Sequence, residues 1–163
     1  MAAQKKMTRV GFGFDVHKLV TGRKLVLGGV GIKHGKGLLG HSDADVLCHA
    51  IADSILGAAA LGDIGTHFPN SDPAFRGISS LTLLEHVAHL IKSNRYHIVN
   101  VDSTVIAEEP KIMPHVDKMR GLIARALGVE VDQVSVKATT NEGLGHLGRK
   151  QGICAYAVSM ISR

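Results

Sequence analysis

A chain of 163 residues, 45% hydrophobic and 20% charged, can bury one real core and is too short for two ordinary domains. Its net charge of +5 comes from scattered basic residues, and only 4% of the chain is aromatic, so a stacking platform for nucleic acid is disfavoured and an anionic small substrate is a better reading. No apolar run approaches the roughly 20 residues that span a bilayer, the opening residues lack the apolar core of a secretory signal, and Cys48 and Cys154 are too few for a disulfide framework, so a reduced, cytoplasmic protein is expected, with neither membrane nor nucleic acid as partner.

Val10, Phe12 and Phe14 alternate with Gly11 and Gly13 and read as a first strand. Lys24 to Leu27 and Val30 to Ile32 form a second, glycine-broken extended region. Ser42-Asp43-Ala44-Asp45 has the form of a capping box, which predicts a helix from Ser42 with Leu47, Ile51, Ile55 and Ala58 on one face, ending near Gly57 or Gly62. Two prolines, Asn70, Asp72 and Gly77 make Thr66 to Gly77 a loop. Ser80 caps a second helix with Leu84, Val87 and Ile91 inward, and His97 to Ala107 is a β-branched strand. Pro114 suits the first turn of a third helix, which carries Val116, Met119, Ile123 and Leu127 and stops at Gly128. Val134 to Thr139 and Ile153 to Ile161 are the last strands, separated by the glycine-rich loop Asn141 to Gly152. This order predicts an α+β sandwich with helices packed on one sheet.

Asp15 and His17 share a face of the first strand, because side chains alternate. They suit a divalent metal, with His49 the best third ligand and a fourth position open, as in a catalytic zinc site. The plainer alternative makes Asp15 a turn cap, His17 a surface residue and His49 a half-buried histidine. His41 and Ser42, at the expected helix N-terminus, could hold a phosphate, although Ser42 also reads as a simple cap. Asp45 either orients His49 or is solvated. Asp63, in the turn Gly62 to Gly65, offers a carboxylate to hydroxyls or simply makes the turn. Lys137 to Gly143 ends a strand in Thr139, Thr140 and Glu142, where hydroxyls can bind phosphate oxygens and the carboxylate can hold a Mg²⁺ shared with substrate; an ordinary threonine-rich strand edge is the alternative. No G-x-x-x-x-G-K-[ST] loop is present.

Gly13 to His17, Gly37 to Asp45, Leu56 to Gly65, Phe68-Pro69, Asp72-Pro73, Pro110-Lys111, Lys137 to Thr140 and Glu142 together resemble the 2-C-methyl-D-erythritol 2,4-cyclodiphosphate synthase family. The likeness is ordered and runs from about Val10 to the last strand. It implies one domain over residues 1–163: an α+β two-layer sandwich, with helices on one face of a mixed four-stranded sheet plus a small extra hairpin, assembling as a homotrimer with active sites at subunit interfaces. It implies a lyase of isoprenoid precursor biosynthesis by the non-mevalonate route. Such an enzyme closes the 2-phosphate of a diphosphocytidyl methylerythritol onto its own diphosphate and releases CMP.

The resemblance further implies one Zn²⁺ per subunit on Asp15, His17 and His49, and Mg²⁺ or Mn²⁺ on Glu142, bridging the substrate diphosphate. It makes His41 and Thr140 catalytic. Ser42, Asp63, Ile64, Gly65, Phe68, Asp72 and Ala138 would meet the substrate, and Ala107 to Met113, including Pro110, Lys111 and Ile112, would form the cytidine pocket with Thr139 and Thr140. His146 and Arg149 would face an axial cavity that takes an isoprenoid diphosphate. Two departures fall there: His146 replaces an expected phenylalanine, and Tyr156 stands where related proteins can carry an acidic residue. Two rivals remain open at this stage. One is a zinc hydrolase with Asp43, Asp45 or Asp63 as general base. The other is a trimeric binding protein without turnover.

Overall fold

The computed structural model describes residues 7–163 apart from 70, 71, 73, 74 and 76. The long first strand β1 (Thr8–Val20) lies antiparallel to the last, and three short strands follow it: β2 (Leu25–Leu27), β3 (Val30–Ile32) and β4 (Gly37–Leu38). Helix α1 (Val46–Ala59), the short α2 (Ile64–His67) and α3 (Ser80–Ser93) lead to β5 (His97–Ile106). Then come α4 (Val116–Leu127), β6 (Val134–Thr139), the short α5 (Gly145–Gly148) and β7 (Gly152–Ser162). The main sheet has the order β4-β1-β7-β5-β6, and β2 and β3 form a separate hairpin. β5 and β6 run parallel and the other neighbours antiparallel, so the sheet is mixed.

The two glycines of β1 explain how the layers meet. A Cβ on Gly11 would fall 2.0 Å from the Ser54 carbonyl oxygen, and one on Gly13 would fall 1.9 Å from that of Ala50. Helix α1 therefore rests on the bare backbone of β1, an approach that any side chain would block. A 2.5 Å hydrogen bond between the Ser54 and Ser159 hydroxyls ties the same helix to β7. Leu47, Ile51, Ile55 and Leu56 of α1, Leu84 and Ile91 of α3, and Met119 and Ile123 of α4 fill the core between the layers.

The opposite face of the sheet carries Val10, Phe12, Phe14, Val16, Tyr156 and Val158, all exposed, with Phe12 63% accessible. The Tyr156 ring lies 5.0 Å from that of Phe14 and 6.1 Å from that of Phe12, centroid to centroid. Among the described residues no helix is long and apolar enough to cross a membrane.

Several expectations need correction. The sheet has five strands rather than four, because Gly37 and Leu38 pair with Val20 and Leu19 at its edge. Helix α1 starts at Val46, not Ser42, since Asp45 is the residue whose side chain accepts from a first-turn N–H, that of Cys48. It passes through Gly57 and ends at a left-handed Ala60. Ser79, not Ser80, caps α3. Pro114 sits in a 3-10 turn (Met113–His115) just ahead of α4. Thr66 and His67 are helical, so the expected loop starts at Phe68; its residues 70, 71, 73, 74 and 76 lie outside the described ones. The loop before β7 contains a helical turn, α5.

Candidate active site

Asp15 and His17 point from β1 toward α1, where His49 occupies the first turn. Asp15 Oδ2 lies 3.0 Å from His17 Nε2 and 2.9 Å from His49 Nδ1, and the two imidazole nitrogens are 3.4 Å apart. One atom from each converges within 4.8 Å, the one group of three or more such side chains found among the described residues. Two imidazoles and a carboxylate at this spacing could hold a metal ion. Partial burial pushes the Asp15 carboxyl up, but hydrogen bonds from His17 and His49 outweigh it and hold the group well below the usual carboxylate range. Burial lowers His17, and the Asp15 hydrogen bond and charge more than reverse that, so its pKa is raised.

The ring orientations are set from behind. The Nδ1–H of His17 donates to the Leu39 carbonyl oxygen at 2.6 Å, so Nε2 is the nitrogen turned to the cluster, and it offers a lone pair there once its proton is displaced. Ser80, fully buried, donates its hydroxyl proton to Asp43 Oδ1, and its backbone N–H donates to Asp43 Oδ2 at 3.0 Å. The Ser80 oxygen is thereby the acceptor for the Nε2–H of His49 at 3.0 Å, so Nδ1 is the nitrogen turned to the cluster and the one available to a metal. Sequence reasoning gave Ser80 only a capping role and did not find this relay. A buried serine opening a helix was the available signal.

Asp45 was expected to orient His49 or face water. It does neither. Its carboxylate is fully buried and accepts from the N–H groups of Gly28 (2.9 Å), Gly29 (2.7 Å) and Cys48 (3.1 Å), pinning the hairpin turn to α1. Burial raises its pKa despite these bonds. Ser42 bonds the Ala44 N–H at 3.0 Å, a local turn rather than a helix cap, and its hydroxyl also lies 3.3 Å from His49 Nε2. Arg23, which the sequence did not single out, braces this turn by donating to the carbonyl oxygens of Gly40 (3.0 Å) and Ser42 (2.8 Å).

A cavity of about 610 Å³ opens over the cluster. Asp15, His17, His41, Ser42, His49, Ile64, Gly65, Phe68 and Asp72 all line it. Asp63 sits at its edge as the cap of α2, accepting from the Thr66 N–H and hydroxyl, both at 2.9 Å. The first of these bonds, with the second, lowers its pKa. The N–H of Ile64 donates to Asp53 at 2.8 Å, which fastens α2 to α1.

The remaining expected residues gather elsewhere. Ala107 extends the β5–β6 pairing by donating to the Thr139 carbonyl oxygen at 3.0 Å, and Ala138 lies opposite Val105. Residues 107–113 turn through a cis Glu109–Pro110 bond, with Lys111 and Met113 exposed and Ile112 buried. The Thr140 hydroxyl donates to Glu142 at 3.1 Å. His146 and Arg149 line a second cleft of about 580 Å³ with Lys18, Lys36 and Lys150, and His17 borders it as well as the first. His17 of β1 and Thr139 of β6 stand at the same end of the sheet, separated by β7 and β5. Three strand spacings amount to about 14 Å.

A family model described as the YgbB family matches residues 8–162. The chain belongs to the YgbB family. A family relative named 2-C-methyl-D-erythritol 2,4-cyclodiphosphate synthase, from Syntrophomonas wolfei, is 61% identical over 155 residues, which is 95% of this chain and 99% of that protein. Among solved structures, IspF of Plasmodium falciparum in complex with CDP is 38% identical with a TM-score of 0.83, over 94% of this chain and 95% of that one. Bifunctional IspDF of Campylobacter jejuni is 38% identical with a TM-score of 0.93; the match covers 97% of this chain and 43% of that longer one.

Proposed function

We propose that this YgbB-family chain is a metal-dependent lyase. It converts 4-diphosphocytidyl-2-C-methyl-D-erythritol 2-phosphate to 2-C-methyl-D-erythritol 2,4-cyclodiphosphate with release of CMP. The convergence of Asp15, His17 and His49 beneath a cavity carries the reading, together with the names of the relatives. An oxygen of the 2-phosphate attacks the β-phosphorus, the bond from that phosphorus to the CMP oxygen breaks, and CMP takes the electron pair. The nucleophile belongs to the substrate, so the protein must fold the substrate onto itself and stabilise charge; orientation alone reaches effective molarities of roughly 10⁵ M or more.

Two imidazoles and one carboxylate suit Zn²⁺, one per subunit, and Glu142 is the kind of lone carboxylate on which Mg²⁺ or Mn²⁺ is shared with a diphosphate. When bound, these ions supply polarisation of phosphoryl oxygens and neutralise their charge. His41 and Ser42 hold phosphate oxygens at the cavity wall, and Asp63 receives the methylerythritol hydroxyls beside Ile64, Gly65, Phe68 and Asp72. Residues 107–113, with Ala138 and Thr139, take the cytidine. The hydroxyl of Thr140 donates to the diphosphate as charge moves toward the leaving CMP.

Within one chain the cluster and Thr139 are about 14 Å apart, too far for one diphosphate to touch both. A homotrimer, in which one subunit lends its cluster and a neighbour its Thr139–Glu142 loop, removes this conflict. The bare apolar sheet face, with Val10, Phe12, Phe14 and Val158, is the surface such a trimer buries. The basic cleft at His146 and Arg149 suits an anion such as an isoprenoid diphosphate near the axis. Two buried free cysteines, Cys48 and Cys154, fit a reducing cytoplasm.

The test is incubation of the protein with the cytidine diphosphate substrate, zinc and magnesium in ¹⁸O-water. CMP and a cyclic product, both free of solvent oxygen, support the cyclase. Incorporation of ¹⁸O marks a hydrolase instead, and binding without turnover marks a binding protein.

A further inference from the structure

We propose that Glu108 is a positioning residue, an internal anion that holds the Thr140–Gly143 loop in the shape needed to receive a diphosphate. A single oxygen of this carboxylate, Oε1, accepts from two backbone donors of the loop: the N–H of Asn141 at 2.9 Å and the N–H of Gly143 at 3.2 Å. Between them the chain passes through the left-handed region at Glu142 (φ 52°) and again at Gly143 (φ 74°). Successive N–H groups turned inward in this way form a concave nest for an anion. Here the anion comes from the chain itself.

The geometry has three consequences. First, a non-glycine residue rarely adopts positive φ unless its surroundings compensate; two N–H bonds to one carboxylate supply that at Glu142. Second, Glu108 follows Ala107, whose N–H bonds to Thr139, so the same short segment fixes both the start and the middle of the loop. Third, the neighbouring Glu109 accepts from Lys150 Nζ at 2.7 Å, which anchors this segment to the turn before β7. The Thr140–Glu142 pair is exposed and makes its 3.1 Å contact only within the loop, so its placement relative to residues 107–113 depends on Glu108. The carboxylate acts by accepting, not by its charge. A second negative group beside a diphosphate is a liability, and a glutamine oxygen can accept the same two bonds.

The part of this inference that concerns ligand rests on the proposed cytidine diphosphate site; the part that concerns the loop does not. The test compares wild type, Glu108→Ala and Glu108→Gln in two measurements. Amide hydrogen exchange on the ligand-free protein reads the loop. Asn141 and Gly143 should lose protection in Glu108→Ala and keep it in Glu108→Gln, with β1 and α1 unchanged in both. CDP titration reads the consequence. Glu108→Ala should bind about tenfold more weakly or worse, the factor that corresponds to roughly 1.4 kcal/mol, while Glu108→Gln stays within about threefold of wild type. Unchanged exchange at Asn141 and Gly143 in Glu108→Ala overturns the inference. So does a Glu108→Gln protein as impaired as Glu108→Ala, which would make charge the operative property. If wild type itself fails to bind CDP, the cytidine site is wrong, and the exchange result still decides the role of Glu108.

Discussion

The Asp15–His17–His49 cluster and the Thr139–Glu142 loop stand at the same end of one sheet and are built in opposite ways. The two imidazoles of the cluster are directed from behind, His17 by Leu39 and His49 by Ser80 and Asp43. The loop is made of exposed side chains on a backbone held from beneath by Glu108. Pre-organised ligands at the first suit an ion that must sit in one place. Exposed hydroxyl and carboxylate at the second suit groups that meet a partner supplied from outside, a substrate and a neighbouring subunit. In the proposed trimer, half of the site is finished by folding and the other half by assembly.

The largest effect is expected at the finished half. His17→Ala should abolish metal binding and turnover together while circular dichroism stays unchanged; a full complement of metal in the purified variant would break the ligand assignment. At the unfinished half, Thr140→Val should keep metal and CDP binding yet lose about 10²–10³ in kcat, the range typical of a donor used only in the transition state. Thr140→Ser should lose much less. Equal and small losses in the two variants would reduce Thr140 to a structural residue.

Behind the cluster, Ser80→Ala should weaken metal affinity about 10–100-fold, as loss of a partner that orients a ligand imidazole typically does. Competition with a chelator measures it, and wild-type affinity would show that the His49 tautomer needs no relay. The smallest effect is one of pH. Because Asp15 raises the His17 pKa, the pair stabilises the metal-stripped protein fully below the ordinary histidine value of 6.5 and less as pH rises through the raised value. Metal binding must expel that proton, so affinity should rise with pH over the same window. Metal-stripped and metal-loaded protein should thus show opposite pH trends in Tm as pH rises above 6.5. Parallel trends would mean that Asp15 and His17 do not share the proton.

The sequence made much of this legible where a single local rule governed. Alternation along β1 put Asp15 and His17 on one face, and helical spacing marked Val116, Met119, Ile123 and Leu127, all buried in α4. It failed where a side chain was claimed by distant backbone. Asp45 looked like a neighbour of His49 by spacing, but the N–H groups of Gly28 and Gly29, some seventeen residues away, hold it in the core. Ser42 and Ser80 each matched a capping pattern one or a few residues out of register, because Asp45 and Ser79 competed successfully for the first-turn donors. Glu108 had no signal at all, since its partners follow a different strand. Tertiary hydrogen bonds of this kind leave no periodic trace.

In the proposed trimer, one active site needs His17 from one subunit and Thr140 from another. Co-refolding His17→Ala with Thr140→Val in equal amounts tests it, because each variant alone lacks one half of every site. Random hybrid trimers would then rebuild about one quarter of the sites whole, and activity should rise from the level of either parent toward that fraction of wild type. Activity that stays at the sum of the two parents, in samples shown by mass measurement to contain mixed trimers, would place both residues in a site belonging to a single chain and contradict the account.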